Sequence, residues 1–444
     1  MGAHGPDRVL VVGGGAGGVI ATAHLLERVA SSADAEPVAV TIIERSPVVG
    51  PGLAYTTTHP QHLLNNYAGR MSALDHDPRH FVRWCGQAGL DVTGDTFVSR
   101  ETYGRYLAGL LDAHPVPPGS RVSRLRDEVV EVRDTGRAYV ARTARGASLA
   151  ADVVVLALGN PPPRRPRGLV VDEERFVENP WDAGLLDRVP DRGSVLLVGT
   201  GLTTVDVAAQ VAGARPEIRL TAASRHGRLP LRHLEEAPGP VAGLDADSRR
   251  LAGVLGEARR HLAGGEDFRC VVESVKAVGN DIWAGLSPRD RERFVNHVAR
   301  YWEVARHRIA PPMARVVDDL TASGRLTVTT SRDVDPAAYD LVVNCTGPAP
   351  VSSTGWNPLV DQLAVTGMLW PGPFGLGVDV DTTGALVDEH GVAARGLYAV
   401  GAARRGVEWE VAAVPDIRRQ ARRLAEVLRP SYAAVPDPLG RLVG

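Results

Sequence analysis

An α/β fold of two similar halves, each built on a parallel sheet, is predicted by three features of this 444-residue chain. Two glycine-rich turns of one form, beginning at Gly13 and Gly199, each follow an apolar strand and open a helix. Three more apolar strands run into glycine, at Gly159, Gly347 and Gly401. Residues 232–322 carry helix formers at 3.6-residue spacing, which predicts a helical insertion.

The first half begins with RVLVVGGGAGGVIATAHLLERV: a short apolar strand, the turn Gly13-x-Gly15-x-x-Gly18, then a helix with Ala21, Leu25 and Leu26 at core spacing. Gly13 permits the tight turn, Gly15 lets the backbone approach a pyrophosphate, and Gly18 lets helix pack on strand. Free N–H groups at the helix start face the anion. The next strand, VAVTIIE, ends in Glu44, where a carboxylate accepts hydrogen bonds from ribose hydroxyls, with Arg45 beside it. The polar excursion RSPVVGPGLAYTTTHPQHLLNNYAGRMSAL then precedes the next helix. A loop of that length suits a bulky isoalloxazine ring, whereas a simple dehydrogenase returns to its sheet sooner, so the first site is expected to hold FAD.

A meander, EVVEVRDTGRAYVARTARGASLA, and the strand DVVVLALGNPPP lead out of this half, with prolines after Gly159 marking a linker. SVLLVGTGLTTVDVAAQVA then repeats the pattern as Gly199-x-Gly201-x-x-Thr204, the threonine still small enough for close packing. The following strand, IRLTAA, ends in Ser224-Arg225, with His226 and Arg228 just beyond. A carboxylate there would repel a 2′-phosphate; a hydroxyl and a guanidinium bind one, so NADPH is expected over NADH.

YDLVVNCTGPAP and GLYAVGAARRG reach Gly347 and Gly401 in the manner of the strand before Gly159, which predicts a return to the first half. The expected limits are 1–165 for the first part of the FAD domain, 190–339 for the NADPH domain with its insertion at about 232–322, and 340–444 for the second part of the FAD domain. Within the insertion, Trp302, Arg306, His307 and Arg308 combine a stacking surface with positive charge and are expected to form an anion-binding wall. Trp409, between Glu408 and Glu410, is expected to frame a substrate amine. The last helix starts near Pro415 and Asp416, with Ile417, Ala421, Leu424 and Leu428 as its buried stripe. Its N-terminus, aimed at a flavin, would favour the negative charge of the reduced ring.

Hydrophobic residues at 44% and charged residues at 23% provide for a large core in two or three domains. A formal charge of -2 supplies no global polycation, so neither a nucleic acid nor a membrane is an expected partner. Lys276 is the single lysine, and Schiff-base chemistry would rest on it alone. Cys85, Cys270 and Cys345 are odd in number and far apart, which speaks against a disulfide framework or a dithiol centre, and no metal site is expected. MGAHGPD runs straight into a strand, leaving no room for a signal peptide, and the apolar runs fall far short of the ~20 residues a spanning helix needs. A cytoplasmic protein is expected.

The two fingerprints, the inserted topology and the strand-to-glycine junctions resemble the two-dinucleotide-binding-domain flavoproteins, which include glutathione-reductase-like enzymes and class B flavin monooxygenases. GPGLAYTTTHPQHLLNNYAGRMSAL, GTGLTTVD, SRHGRLP, YWEVARHRIAP and GVEWEVAAVPDIRRQA resemble the FAD/NAD(P)-binding family of bacterial proteins related to the N-hydroxylating class B enzymes. The resemblance spans nearly the whole chain and implies a glutathione-reductase-like FAD domain with an inserted NADPH domain. Departures are the missing cysteine pair of the disulfide reductases, Gly401-Ala402 where many relatives have aspartate second, and RFVENPWDAGLL in place of F-x-G-x-x-x-H-x-x-x-W/Y. By resemblance, Asn65, with Asn66 next, lies beside the flavin, where an amide hydrogen-bonds an oxygenated intermediate without offering an acidic proton. The implied function is an NADPH-dependent flavoprotein monooxygenase that uses dioxygen to form a C4a-hydroperoxyflavin and oxygenates a small polar substrate, N-hydroxylation of an amine or amino acid being the favoured case. One alternative is an NADPH-dependent FAD reductase or oxidase that passes electrons to an acceptor or to oxygen without oxygen insertion. Another is a redox-sensing module that holds FAD and does not turn over.

Overall fold

Four consecutive residues of β1 (Asp7–Val12), Val9 to Val12, are buried, which only a strand covered on both faces allows. The computed structural model describes residues 7–32, 36–241 and 250–428. The first half runs from β1 through α1 (Ala16–Ser31), β2 (Val38–Glu44), α2 (His80–Gln87), α3 (Arg100–Leu110) and β3 (Arg121–Arg126). The meander follows as β4 (Val129–Asp134), β5 (Tyr139–Thr143) and β6 (Ser148–Ala151), and β7 (Val153–Leu156) closes this part. The second half supplies β8 (Phe176–Val177), α4 (Leu185–Arg188), β9 (Arg192–Val198), α5 (Leu202–Ala214) and β10 (Glu217–Ser224). The insertion is α6 (Leu251–Ala263), α7 (Phe268–Ala277), α8 (Gly279–Gly285), α9 (Pro288–Arg293) and, after a π-helical turn at Phe294–Val298, α10 (Ala299–Arg306). Then α11 (Pro311–Ala322), β11 (Leu326–Thr330) and β12 (Leu341–Asn344) complete the second half. The chain returns to the first half with α12 (Pro358–Val365), β13 (Ala385–Val387), β14 (Ala393–Ala399) and α13 (Val414–Val427).

Two sheets result. The first has the order β13-β14-β7-β1-β2-β3, parallel except for the β13 edge. In the second, β11-β10-β9-β12-β8, every pairing is parallel. The meander forms a separate antiparallel three-stranded sheet. Leu25 and Leu26 of α1 share one core with Ala421 and Leu424 of α13, so the expected stripe of the last helix closes the first half over β1 and β7. In the second half, Val205 and Val211 of α5 share a core with Met313, Val317 and Leu320 of α11.

These pairings move the expected domain limits. β12 lies between β9 and β8, Val342 opposite Leu196, so the second half extends past 340 to the end of that strand. β8 places its beginning at Phe176 rather than 190. Strands β7, β12 and β14 all run apolar into glycine, and that local form does not say which sheet receives them. α11 covers the second sheet, so the insertion proper ends with α10 and not at 322. Among the described residues, no helix is long and apolar enough to cross a membrane.

Candidate functional site

The first glycine turn is a cradle in which side chains have no room. A Cβ on Gly13, whose φ is +100°, would stand 2.4 Å from the Ala157 carbonyl oxygen at the end of β7. A Cβ on Gly18 would stand 2.1 Å from the Gly13 oxygen. Gly15 caps α1 with no side-chain hydrogen bond and no acid in the first turn, leaving free N–H groups at the positive end of the helix. The loop after β2 folds back on this turn, the Gly50 N–H donating to the Gly14 oxygen at 2.6 Å. Glu44 accepts from the Gly14 N–H at 2.7 Å and the Ser46 N–H at 2.8 Å, one bond per oxygen, with lone pairs left for hydroxyl donors. Arg45 points outward, 67% exposed and 3.9 Å from Glu128.

The second turn repeats this construction. A Cβ on Gly199, φ +125°, would stand 2.4 Å from the Cys345 oxygen at the end of β12. Gly201 caps α5, again without a side-chain bond or an acid in the first turn, and Thr204 is buried against the core. Beyond β10 lies a cleft of about 380 Å³ lined by Thr200, Ser224, Arg225, His226, Arg228, Arg300, Tyr301 and Val304. The Thr200 hydroxyl donates to the Arg228 carbonyl at 2.6 Å and the Gly227 N–H donates to Ser224 Oγ at 3.1 Å, which pins the 224–228 loop. Gly159, Gly347 and Gly401 all take positive φ, at 70°, 85° and 77°. Gly347 follows β12 and so belongs to the second cradle, not the first.

Between the cradles, Leu63, Leu64 and Asn65 from the first half face Leu202 and Val205 of α5 across a small cavity also lined by Arg308. The Asn65 side chain is exposed, and its carbonyl accepts from His233 Nε2 at 3.1 Å. The other ring nitrogen, Nδ1, accepts from Arg308 Nε at 3.3 Å, so His233 is a neutral imidazole bridging the two. Burial and the Arg308 charge push it down to about 3. Arg308 is fully buried and paired with Glu273, whose carboxylate also meets Arg70 at 2.5 Å and Lys276 at 3.1 Å. Asn66 turns its Oδ1 to the Tyr67 N–H at 3.0 Å, as a turn-capping amide does.

The halves are also joined by Arg100 of α3 and Asp206 of α5 at 2.5 Å, both largely buried. Burial lifts the Asp206 carboxyl to about 6 against the opposing pull of Arg100. An acid whose folded pKa exceeds its ordinary 3.8 binds its proton more tightly when folded, so its contribution to stability falls as pH rises from about 4 to about 6. Asp206→Asn keeps the neutral form throughout. Thermal unfolding from pH 4 to pH 8 should show the variant gaining on wild type by about 2 to 3 kcal/mol across that window. A constant difference between the two proteins would contradict this.

The expected substrate wall is instead internal. Arg306, with its side chain 8% exposed, pairs with Glu410 at 2.5 Å and lies 3.5 Å from Asp416. Trp302 Nε1 donates to Glu410 at 3.0 Å. Trp409 is buried with its ring 5.0 Å from Trp283 and 4.8 Å from Phe294. With Arg308, these side chains weld the insertion to its surroundings through bonds within the protein instead of presenting an open wall. The N-terminus of α13 is likewise occupied: Pro415 lies in its first turn, and Asp416 accepts from the Ala413 N–H and pairs with Arg419 at 2.5 Å. Gly401 donates its N–H to Gln420 at 2.7 Å. Arg404, one turn further and 1% exposed, pairs with Glu408 yet keeps Nε and Nη1 without a hydrogen-bond partner among the described residues. No sequence pattern marks Arg300, Tyr301, His233 or Arg404, and only the fold brings them to these places.

Two largely parallel sheets, two glycine cradles and a small cavity between them make up an architecture of two dinucleotide-binding domains. Residues 10–161, the stretch containing the first cradle, match the family described as FAD-NAD(P)-binding. No curated protein matches the chain by sequence. Among solved structures, the chain is similar to the ornithine N-hydroxylase of Kutzneria sp. 744, solved with reduced FAD, NADP+ and L-ornithine: 16% identity, TM-score 0.61, covering 95% of this chain and 98% of that one. The FAD-bound cadaverine monooxygenase of Erwinia amylovora is similar at 12% identity and TM-score 0.63, covering 97% and 96%. The bacillithiol disulfide reductase of Bacillus cereus shares the fold at 13% identity and TM-score 0.52, covering 95% and 98%. These likenesses show a common architecture, and that architecture serves more than one chemistry.

Proposed function

We propose that this protein is an NADPH-dependent flavoprotein monooxygenase that oxygenates a small polar substrate, with N-hydroxylation of an amine or amino acid as the favoured reaction. The observation that carries the proposal is the shared cavity in which Asn65, from the half bearing the first cradle, meets the start of α5, which bears the second. FAD, when bound, supplies hydride acceptance and oxygen activation. Gly13, Gly15, Gly18 and Glu44 would hold it, their tight cradle and free helix N-terminus fitting a pyrophosphate and a ribose. Gly199, Gly201, Ser224 and Arg225 would hold NADPH by the same means. His233 fixes the main chain at Asn65 and leaves the amide side chain free to face bound ligands. The apolar Leu63, Leu64, Leu202, Val205 and Met313 line the cavity beside it and make that side of the site unfavourable to water.

Thiol–disulfide reduction through a pair of cysteines is disfavoured, because two of the three cysteines are buried. Cys85 and Cys345 are buried, and burial pushes their thiols up to about 11 and about 12, so neither supplies a thiolate. Electron transfer to oxygen alone is separated from oxygenation by stoichiometry. NADPH consumption should be screened over amines and amino acids with peroxide measured in parallel. The expected result is a substrate that speeds NADPH oxidation and yields hydroxylated product, with peroxide well below the NADPH consumed. Peroxide equal to NADPH with every substrate would replace the monooxygenase by an oxidase.

A further inference from the structure

Arg225, Arg228 and Arg300 surround one cleft, and among the described residues no carboxylate lies within ion-pair distance of any of them. The contrast with nearby arginines is plain. Arg306 is matched by Glu410, Arg405 by Glu303, and Arg308 and Arg70 by Glu273. All three are exposed, and it is their convergence on one cleft of about 380 Å³, with no carboxylate among its lining residues, that marks an anion site. Tyr301 stands between two of them, half exposed, its ring centroid 5.2 Å from the Arg228 guanidinium carbon and 5.0 Å from that of Arg300. The three side chains form a cationic, aromatic platform of the kind on which a purine stacks.

We infer that Arg300 and Tyr301, both on the inserted helix α10, complete the dinucleotide site: Arg300 joins Arg225 and Arg228 on the 2′-phosphate, and Tyr301 stacks on the adenine. This rests on the NADPH reading above and extends it to a separate element of the chain. The opposite side of α10 explains why it can serve as a fixed wall. Glu303 pairs with Arg405 at 2.6 Å, and Arg306 with Glu410 at 2.5 Å, both in the segment between β14 and α13. Residues 300, 301 and 304 therefore face the cleft, while 302, 303 and 306 are tied down. Specificity for the phosphorylated dinucleotide is thus divided between the loop after β10 and the insertion.

The test is a set of binding titrations of the FAD-loaded full chain with NADP+, NAD+ and 2′,5′-ADP. Arg300→Ala should weaken NADP+ and 2′,5′-ADP by about tenfold or more and leave NAD+ nearly unchanged, because only the phosphate contact is lost. Tyr301→Ala should weaken NADP+ and NAD+ alike, by roughly five- to tenfold, and Tyr301→Phe should retain wild-type binding. All three side chains are at the surface, so flavin content and melting temperature should stay at wild-type values and certify the fold. If wild type prefers NADP+ and Arg225→Ala abolishes that preference while Arg300→Ala and Tyr301→Ala bind all three ligands as wild type does, the role of the insertion is refuted and the NADPH reading stands. If wild type binds NADP+ no better than NAD+, both fail together.

Discussion

Gly18→Ala is expected to yield protein with little or no bound flavin, its FAD affinity lower by on the order of a hundredfold, about 2.7 kcal/mol. The added methyl would lie 2.1 Å from the Gly13 carbonyl oxygen, and no rotamer relieves it, because both atoms are set by the backbone. Either α1 moves off β1 or the turn opens, and in both cases the free N–H groups at the start of α1 leave their positions. Gly17→Ala is the control. Its methyl would meet Val400 and Ala157 at 3.5 and 3.7 Å, ordinary contact, and flavin should be retained. Gly199→Ala should do to the second site what Gly18→Ala does to the first, since its methyl would lie 2.4 Å from the Cys345 oxygen at a φ of +125°. That protein should stay yellow and lose saturable reduction by NADPH. Flavin absorbance per chain and the NADPH dependence of flavin bleaching measure both. A Gly18→Ala protein as yellow as wild type would mean that FAD does not use this cradle.

The glycines could be read in the sequence because the demand on them is local. A strand that turns at once into a helix beside the end of a neighbouring strand has no space for Cβ, and Gly13 and Gly199 meet that demand against the ends of β7 and β12 in the same way. Gly159, Gly347 and Gly401 are glycine for a related reason, each leaving its strand at positive φ. The sheet to which each strand belongs is a matter of partners distant in the chain, and there the boundary at 340 failed. The arginines of α10 show a similar limit. YWEVARHR is charged on every side, and its spacing alone does not tell which face meets solvent. Arg306 and Arg308 looked like an open cationic wall and are instead buried against Glu410 and Glu273, while Arg300 and Tyr301, a turn or two earlier, face the cleft. His233 gave no signal at all, since nothing near it in sequence announces a contact with Asn65.

Glu273→Gln should be the most damaging single change outside the glycine turns, costing about 3 to 5 kcal/mol in the unit that contains the insertion. Glu273 gathers Arg70 from the first half, Lys276 from its own helix and Arg308 from the segment leaving the insertion. A neutral amide would leave three cations converging on one place, with Arg308 wholly out of water. Burial by itself raises a carboxyl, yet Lys276, Arg70 and Arg308 together hold this one down at about 2. Its stabilisation is therefore complete above the ordinary 4.5 and is lost as pH falls from 4.5 toward 2, a span worth roughly 3 kcal/mol. The gap in melting temperature between wild type and variant should be widest at neutral pH and narrow through that acid window. Hydrogen exchange should place the loosening in α7 and α10, and Glu273→Gln combined with Arg308→Met should recover part of the loss, because the buried charge is then gone as well. The same chain of contacts, Glu273 to Arg308 to His233 to the Asn65 carbonyl, ends at the cavity between the two cradles. Any Glu273→Gln protein that stays folded at low temperature should therefore release more peroxide per NADPH than wild type. Wild-type melting at neutral pH together with wild-type peroxide yield would show that the cluster neither stabilises the insertion nor positions Asn65.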